Sequence, residues 1–458
     1  MSSNINLGKT FEQQAQAALT AGNNAGALSL ANTALGLVGT SNTALSDTLN
    51  GIDVRADLAL GNIPAAQTAV GNLSNTTGYQ NLITSMLVSS ATNNTGAVAT
   101  EINALNTIDS SPNTSTAEQV TINDAIGSVS AQTSPTNAYK YYSQALSLNP
   151  SDINAQIGAA TATINGGNPN GSVATALSSL QGVLSNPAAN ATQQSEAAMR
   201  LGNYDQSQFN TSGAMSYYTQ ASQLTPESVN PLLALGNLYA QIPGSTNGVS
   251  NQQNALNCYV KAVGMEPNSV PVQTALCNYY TNTGNYTQAT QTLNTIGTLA
   301  GGTSSPAYLL ALNHLDVAQG NFSGALTAAQ GAVSATNSSS AAALQAEGTD
   351  DNLSGNSSAA ITALTAAQAL APNTSSLAGI DSGLAMAYLQ SGDNGQAAQA
   401  ALGALQNNAM SPGAYIALAG VIGGNNPFST VLLDDVKSSF TLGPANEDYL
   451  QEVEKEIG

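Results

Sequence analysis

Alanine and tyrosine recur at a fixed spacing along the chain and define one apolar stripe in each repeat. The pattern Ala138-x3-Tyr142-x2-Ala145-x4-Pro150 returns about every 34 to 41 positions over much of the sequence. Because positions three and four apart share one face of an α-helix, the spacing predicts a helix that buries alanine beside an aromatic ring. The proline predicts the end of that helix. Further copies run from Ala214 to Pro226, from Ala255 to Pro267 and, with smaller residues, from Ala360 to Pro372.

A second apolar pattern precedes these copies. Leu235-Gly236-x2-Tyr239 places large residues on one helical face and a small residue where another helix approaches closely. Gly-Asn and Gly-Asp pairs follow this pattern and predict a tight turn, since these residues tolerate left-handed backbone angles. Each unit is therefore predicted to be a helix, a turn and a second helix. Related segments are Leu276-Cys277-x2-Tyr280 and Leu384-Ala385-x2-Tyr388.

This layout resembles the tetratricopeptide repeat family. The resemblance is most specific from Leu201 to Pro267, and weaker copies bring the number of units to roughly twelve. It implies an all-α fold, a right-handed α-solenoid of helix–turn–helix repeats in one elongated domain. The tryptophan typical of the family is absent from the sequence, which predicts thin, close packing of small residues.

Three segments are predicted along the chain. Residues 1–10 form an extended N-terminal arm, residues 11–443 form the solenoid, and residues 444–458 form a C-terminal amphipathic helix. Longer loops rich in Gly, Pro, Asn and Ser are predicted at 165–171 and 241–251, at the turn within a unit.

Charge is scarce in this chain. Charged residues make up 7% of the sequence, Lys and Arg total 7, and the formal net charge is −19. Nucleic acid and anionic membrane surfaces are therefore poor partners, because both require clustered cations. No stretch has the length of a membrane-spanning helix, and no signal-peptide pattern is visible near Met1. With few ionisable groups, the fold is expected to lose little stability on acidification.

The two cysteines leave two interpretations open. Cys258 is predicted on the second helix of one unit and Cys277 on the first helix of the next. They are either two buried thiols in a helical core or a disulfide that joins neighbouring units, and sequence spacing does not decide the geometry. Two sulfurs are too few for a metal site, so none is predicted.

No catalytic constellation is recognisable, and the chain is predicted not to be an enzyme and to need no cofactor. His314 is the only histidine, so triads and histidine-rich metal sites are nearly excluded. The adjacent pairs Asp350-Asp351 and Asp434-Asp435 point to different faces of a helix and are expected to be solvated.

A neutral groove is predicted on the first helices. Members of the tetratricopeptide family commonly bind extended peptides there, and one of their modes grips a carboxylate with lysine and arginine. In this chain the corresponding positions are neutral apart from His314, so that clamp is predicted to be absent. The groove either binds a peptide or a glycan by hydrogen bonding or is a hydrated, unused surface. Its residues are Asn203, Asn237, Gln241, Asn278, Asn282, His314 and Gln390.

The last segment differs from the rest in its density of charge. Its apolar residues recur at helical spacing and predict either a cap over the last unit or a contact with a neighbouring molecule. The residues proposed for such self-assembly are Phe11, Leu19, Tyr449, Leu450, Val453 and Ile457.

Two functions follow as hypotheses. In the first, the chain is the structural subunit of an extracellular or cell-surface filament that polymerises head to tail, because unlike ends of a stack that meet without closing a ring generate open helical filaments. In the second, it is a monomeric scaffold whose concave groove binds a partner protein or peptide. Composition favours the first hypothesis, and the family resemblance favours the second.

Overall fold

The computed structural model describes residues 2–39, 42–246, 248–371, 374–408 and 411–422. The described chain groups into two compact units. Unit 1 contains residues 1–279 together with 294–301, and unit 2 contains residues 280–293 together with the chain from 302 onward.

Antiparallel helix pairs make up nearly all of the described chain. Odd-numbered helices are the first helices of the pairs and even-numbered helices are the second helices. The helices are α1 (Ser2–Thr20), α2 (Asn24–Val38), α3 (Thr43–Leu60), α4 (Ile63–Gly71), α5 (Tyr79–Ala91), α6 (Thr95–Asp109), α7 (Thr116–Ser130), α8 (Pro135–Leu148), α9 (Ile153–Ile164), α10 (Val173–Ser185), α11 (Ala191–Ser207), α12 (Thr211–Leu224), α13 (Asn230–Gln241), α14 (Asn251–Met265), α15 (Val270–Asn282), α16 (Tyr286–Leu299), α17 (Pro306–Ala318), α18 (Phe322–Ala335), α19 (Ala341–Leu353), α20 (Ser357–Leu370), α21 (Thr374–Gln390), α22 (Asn394–Asn407) and α23 (Pro412–Ile422).

Consecutive helices pack against one another in the order of the sequence from α1 to α14 and from α17 to α23. This arrangement is an all-α stack of helix–turn–helix units, as the recurring pattern predicts. The described residues contain eleven such pairs, followed by α23.

The turn inside a pair is built by local hydrogen bonds. In the α17–α18 turn, Gly320 adopts a φ of 73°, and the N–H of Asn321 donates to the carbonyl of Asp316. The side chain of Asn321 then accepts from the N–H of Gly324, which satisfies a free donor at the start of α18. A left-handed residue followed by an N-cap therefore reverses the chain within two residues.

The small residue of each first helix receives a large side chain from the second helix. A Cβ atom on Gly236 would lie 2.8 Å from Cε1 of Tyr259, whose side chain is buried on α14. Tyr218 packs in the same way against Gly202. Alanines complete the core, since Ala214, Ala221 and the corresponding alanines of other pairs have no exposed surface. The close, thin packing predicted from composition is confirmed.

The described structure differs from the sequence predictions in three places. Residues 2–10 belong to α1, so the prediction of an extended N-terminal arm is wrong for them. The loop at 241–251 begins and ends on helices and carries a short antiparallel hairpin, β1 (Ser245–Thr246) paired with β2 (Val249–Ser250). Asp350 and Asp351, expected to be solvated, are buried within α19.

Some predictions lie outside the described residues. These include the C-terminal helix at 444–458, the Asp434-Asp435 pair, and the terminal proline of the last clear repeat, Pro372. The boundary of the solenoid at residue 443 therefore stays a prediction.

Candidate functional site

The candidate site begins with a row of amide side chains on the first helices of unit 1. Asn203 on α11 directly follows Gly202, and Asn237 on α13 directly follows Gly236. Both asparagines are exposed, although the glycines beside them are buried under tyrosine rings. We call Asn203, Asn237 and Asn278, which follows the small residue Cys277 on α15, the amide row.

Tyrosine hydroxyls hold two members of the amide row. The hydroxyl of Tyr259 donates to Oδ1 of Asn237 at 2.7 Å. The hydroxyl of Tyr218 lies 2.8 Å from Oδ1 of Asn203 and 2.8 Å from Oε1 of Gln206, and it donates to one of them at a time. Burial, reinforced by the charge of Asp205, raises the pKa of Tyr218 to about 12, so this hydroxyl stays a donor at physiological pH.

These bonds leave each asparagine with a defined chemical character. An asparagine amide has one oxygen acceptor and one NH2 donor. Tyr218 and Tyr259 donate to the side-chain oxygens of Asn203 and Asn237. The NH2 groups of these two asparagines therefore remain to donate to a ligand. Asn203 and Asn237 of the amide row therefore present hydrogen-bond donors to solvent.

Other predicted groove residues are engaged along the stack. Gln206 on α11 donates to Oε1 of Gln241 on α13 at 3.1 Å, which links two consecutive first helices. In unit 2, the Nε2 of Gln390 on α21 donates to the carbonyl of Asn352 on α19 at 3.2 Å. Asn278 is half-buried and is also engaged within the chain. The structure thus uses several of the predicted groove amides to join neighbouring pairs.

His314 on α17 belongs to unit 2, where its Nε2 lies 3.0 Å from Oδ1 of Asn282 on α15. Burial lowers the pKa of His314, so the ring is neutral at pH 7 and donates its Nε2 proton to the asparagine oxygen. The sequence marked His314 as the sole potential cation of the groove, and in the structure it is a neutral hydrogen-bonding group.

Sequence reasoning missed Arg55 on α3 as a groove residue. The same number of residues separates Arg55 from Asn62, Asn203 from Asn210 and His314 from Asn321. Asn62, Asn210 and Asn321 each begin the second helix of a pair, so Arg55 occupies the position of a groove residue on its first helix. The backbone register is the same, since Asn62 and Asn210 donate to the carbonyls of Asp57 and Asp205. The Gly61-Asn62 turn could have identified Arg55 as a groove residue, but the repeat around this turn matches the pattern only weakly.

The protein around Arg55 partly desolvates its side chain. Its side chain is exposed, yet the surrounding protein desolvates it enough to lower its pKa. Within the described part of the chain, Arg55 forms no ion pair and no hydrogen bond. A guanidinium that water reaches and that protein nevertheless surrounds is available to a ligand.

Unit 2 contains a separate cleft of about 550 Å³ between α20, α21 and α22. At its floor, Asp381 is buried and accepts from Nε2 of Gln368 and, at 3.3 Å, from Nδ2 of Asn407. Burial raises the pKa of Asp381, and these two amides offset part of that effect. Because both oxygens already hold neighbouring helices, this carboxylate is committed to packing.

Neither Cys258 nor Cys277 forms a disulfide. Cys258 lies on α14 and is half-buried, whereas Cys277 lies on α15 and is fully buried. The predicted placement on consecutive helices is confirmed, and the disulfide alternative is not formed. Among the described residues, no group of three or more His, Cys, Asp or Glu side chains is placed to hold a metal ion.

Only some of the predicted self-assembly residues lie in the described part of the chain. Phe11 and Leu19 on α1 pack against the core that α1 shares with α2 and α3, while Leu7 is 46% exposed. Tyr449, Leu450, Val453 and Ile457 lie outside the described residues. Within the described part, no helix is long and apolar enough to span a membrane.

Comparison with known proteins gives similarity in structure only. No protein-family model and no curated protein sequence matches the chain. Among solved structures, the chain is similar to yeast Tom70, with 12% identity, a TM-score of 0.44, and coverage of 98% of this chain and 95% of that chain. It is also similar to the Cut9-Hcn1 hetero-tetramer of the APC/C, with 13% identity, a TM-score of 0.39, and coverage of 97% and 96%. Both TM-scores are low, and the tetratricopeptide-like architecture described above rests on the chain's own helix pairs.

Proposed function

We propose that this protein is a non-catalytic scaffold that binds a partner protein through an extended polypeptide segment laid along the amide row. The observation that carries the proposal is the exposure of Asn203 and Asn237. The Tyr259 hydroxyl fixes the Asn237 oxygen, and the Tyr218 hydroxyl serves the Asn203 oxygen, which shares it with Gln206. Side chains that are both exposed and held in one geometry lose little entropy on binding.

The spacing of the row suits an extended backbone. Packed helices lie roughly 8–10 Å apart, and an extended chain advances about 3.3 Å per residue. Neighbouring first helices would then meet about every third residue of a bound segment. Amide NH2 groups donate to peptide carbonyls whatever the peptide side chains are, so recognition would tolerate different sequences. Arg55 adds a positive charge that favours a segment with an acidic residue.

Binding from a displayed peptide library tests this proposal. Peptides selected by the wild-type protein should lose about tenfold or more in affinity for an Asn203→Ala, Asn237→Ala double variant, because two hydrogen bonds are removed. Asn257→Ala is the matched control, since Asn257 is also exposed but lies on the second helix α14. Equal affinity for the wild type and the double variant would refute the amide row as the site. Selection of glycans instead of peptides would change the ligand class.

Head-to-tail assembly into an extracellular or cell-surface filament is a second candidate function. Its support is the small fraction of charged residues in the chain and the exposed Leu7 on α1. Removing residues 446–458 should abolish fibres in negative-stain images while leaving the helical circular dichroism almost unchanged. Discrete particles from the intact chain at every concentration and pH would eliminate the filament.

A further inference from the structure

Unit 1 contacts itself across very long sequence separations. The turn between α1 and α2 touches the loop between α12 and α13 and the loop between α14 and α15. Asn24 begins α2, and its backbone N–H and side-chain Nδ2 both donate to Oε1 of Glu266, at 3.3 and 3.0 Å. Nearby, Nδ2 of Asn23 donates to Oε2 of Glu227 at 3.4 Å. These bonds bring the first pair of the stack back onto its sixth and seventh pairs.

Glycine packing shows how closely the two regions approach. Gly22 has a φ of 80°, and a Cβ atom there would lie 2.7 Å from Cβ of Ser228. Gly61, in the α3–α4 turn, has a φ of 74°, and its Cβ would lie 2.9 Å from both Cβ of Val270 and Cδ of Pro271. The corresponding turn glycines at 320 and 355 would meet nothing within 4 Å. Crowding at these turns therefore marks the contact between distant pairs.

Glu266 is unusual in its position. It occupies the residue before the proline that ends a repeat, where the other clear copies have Asn149, Thr225 and Ala371. Its side chain is 1% exposed, and its Oε2 has no hydrogen bond within the described structure. Burying a carboxylate with one oxygen unsatisfied costs free energy, which the two bonds from Asn24 only partly offset.

We propose that these contacts form a clasp that closes unit 1 and opens without unfolding it. We define the clasp as residues 22–24 and 61 on one side and residues 227–228, 266 and 270–271 on the other. The contacts described above are a few hydrogen bonds and close approaches of glycine backbone, so we expect the free energy of opening to be small compared with that of global unfolding. If the amide row binds an extended segment as proposed above, opening the clasp would let that segment enter from the side.

Amide hydrogen exchange of Asn24 reports on the clasp directly. A backbone N–H in the first turn of a helix has no acceptor within that helix, so the N–H of Asn24 depends on Glu266 for protection. In the intact protein it should be protected, but less than buried core amides such as that of Tyr218. Exchange of Asn24 only at the rate of global unfolding would overturn the proposal, because the clasp would then not open independently.

Matched glycine variants separate the clasp from general strain. Gly22→Ala and Gly320→Ala place alanine at nearly the same φ, 80° and 73°, but only the first collides with another part of the chain. Gly22→Ala and Glu266→Ala should each speed exchange at Asn24 about tenfold, with unchanged circular dichroism at 222 nm, whereas Gly320→Ala should leave this rate unchanged. Gly61→Ala and Gly355→Ala provide a second pair with the same expectation.

Two results would overturn the assignment. Equal acceleration at Asn24 by Gly22→Ala and Gly320→Ala would mean that backbone strain, and not the clasp, controls exchange. Loss of helical signal in Glu266→Ala together with Gly22→Ala would mean that the contact is needed for folding and does not open as a separate element. Neither result depends on peptide binding, so the clasp and the proposed scaffold function fail separately.

Discussion

A buried carboxyl group in unit 2 should make the protein more stable in acid than at slightly alkaline pH. Asp350 on α19 is 1% exposed, and one of its oxygens accepts from Nδ2 of Asn313. Burial raises the pKa of Asp350 to about 7, the bond from Asn313 opposes this, and the charges of Asp351 and Asp316 raise it further. We expect Asp350→Asn to stabilise the protein at pH 8 and to have little effect at pH 4.

The sign follows from the two pKa values. The folded-state pKa of about 7 exceeds the ordinary value of 3.8, so the folded protein binds this proton more tightly than the unfolded chain does. The resulting stability is fully present below about pH 4 and is lost as the pH rises through about 7. The difference between these two pKa values corresponds to at most about 4 kcal/mol in the free energy of unfolding. Relaxation and residual solvation reduce it, and we expect about 2 kcal/mol.

Asparagine suits this test because it removes the charge and keeps an oxygen that accepts from Asn313. Urea unfolding followed by circular dichroism from pH 4 to pH 8 should show a gain for the variant that grows from about pH 4 and levels off above about pH 7. Asp393→Asn is the control, since Asp393 is an exposed N-cap of α22 and asparagine caps equally well. A gain at pH 4 as large as that at pH 8, or no gain at either pH, would refute the reasoning.

Two further predictions concern the core. Gly236→Ala should destabilise the protein by about 1–3 kcal/mol in urea titrations, because the new methyl group would lie 2.8 Å from the buried ring of Tyr259. Gly182→Ala on α10 should instead stabilise the protein by about 0.5–1 kcal/mol in the same titrations, because a methyl group there would meet nothing within 4 Å. A thiol reagent without reductant should label Cys258 slowly, because this thiol is half-buried and burial raises its pKa. The same reagent should label Cys277 only in denaturant, because Cys277 is buried. Fewer than two reactive thiols in denaturant would contradict the absence of a disulfide.

The site was predictable only in part. Asn203 and Asn237 were predicted as groove residues from their positions on first helices in the family resemblance, and the structure shows both exposed. The hydrogen-bond partners of Gln241, Asn282 and Gln390 could not be predicted. Each of these side chains bonds to a neighbouring first helix, and such pairing depends on how adjacent units stack. Burial of Asp350 was missed for the same reason, since its partner Asn313 lies on the preceding first helix.

The helix pairs and their turns follow from the amino-acid sequence alone, because they depend on residues a few positions apart. Small residues at fixed spacing, tyrosines one helix later and Gly-Asn turns specify each unit locally, and stacking repeats the result. Which units meet again after many intervening residues depends instead on how all the pairs stack in three dimensions. The contact between Asn24 and Glu266 depends on the rotation from each pair to the next, and small rotations accumulate over the stack to set where the chain returns. No local pattern encodes that sum.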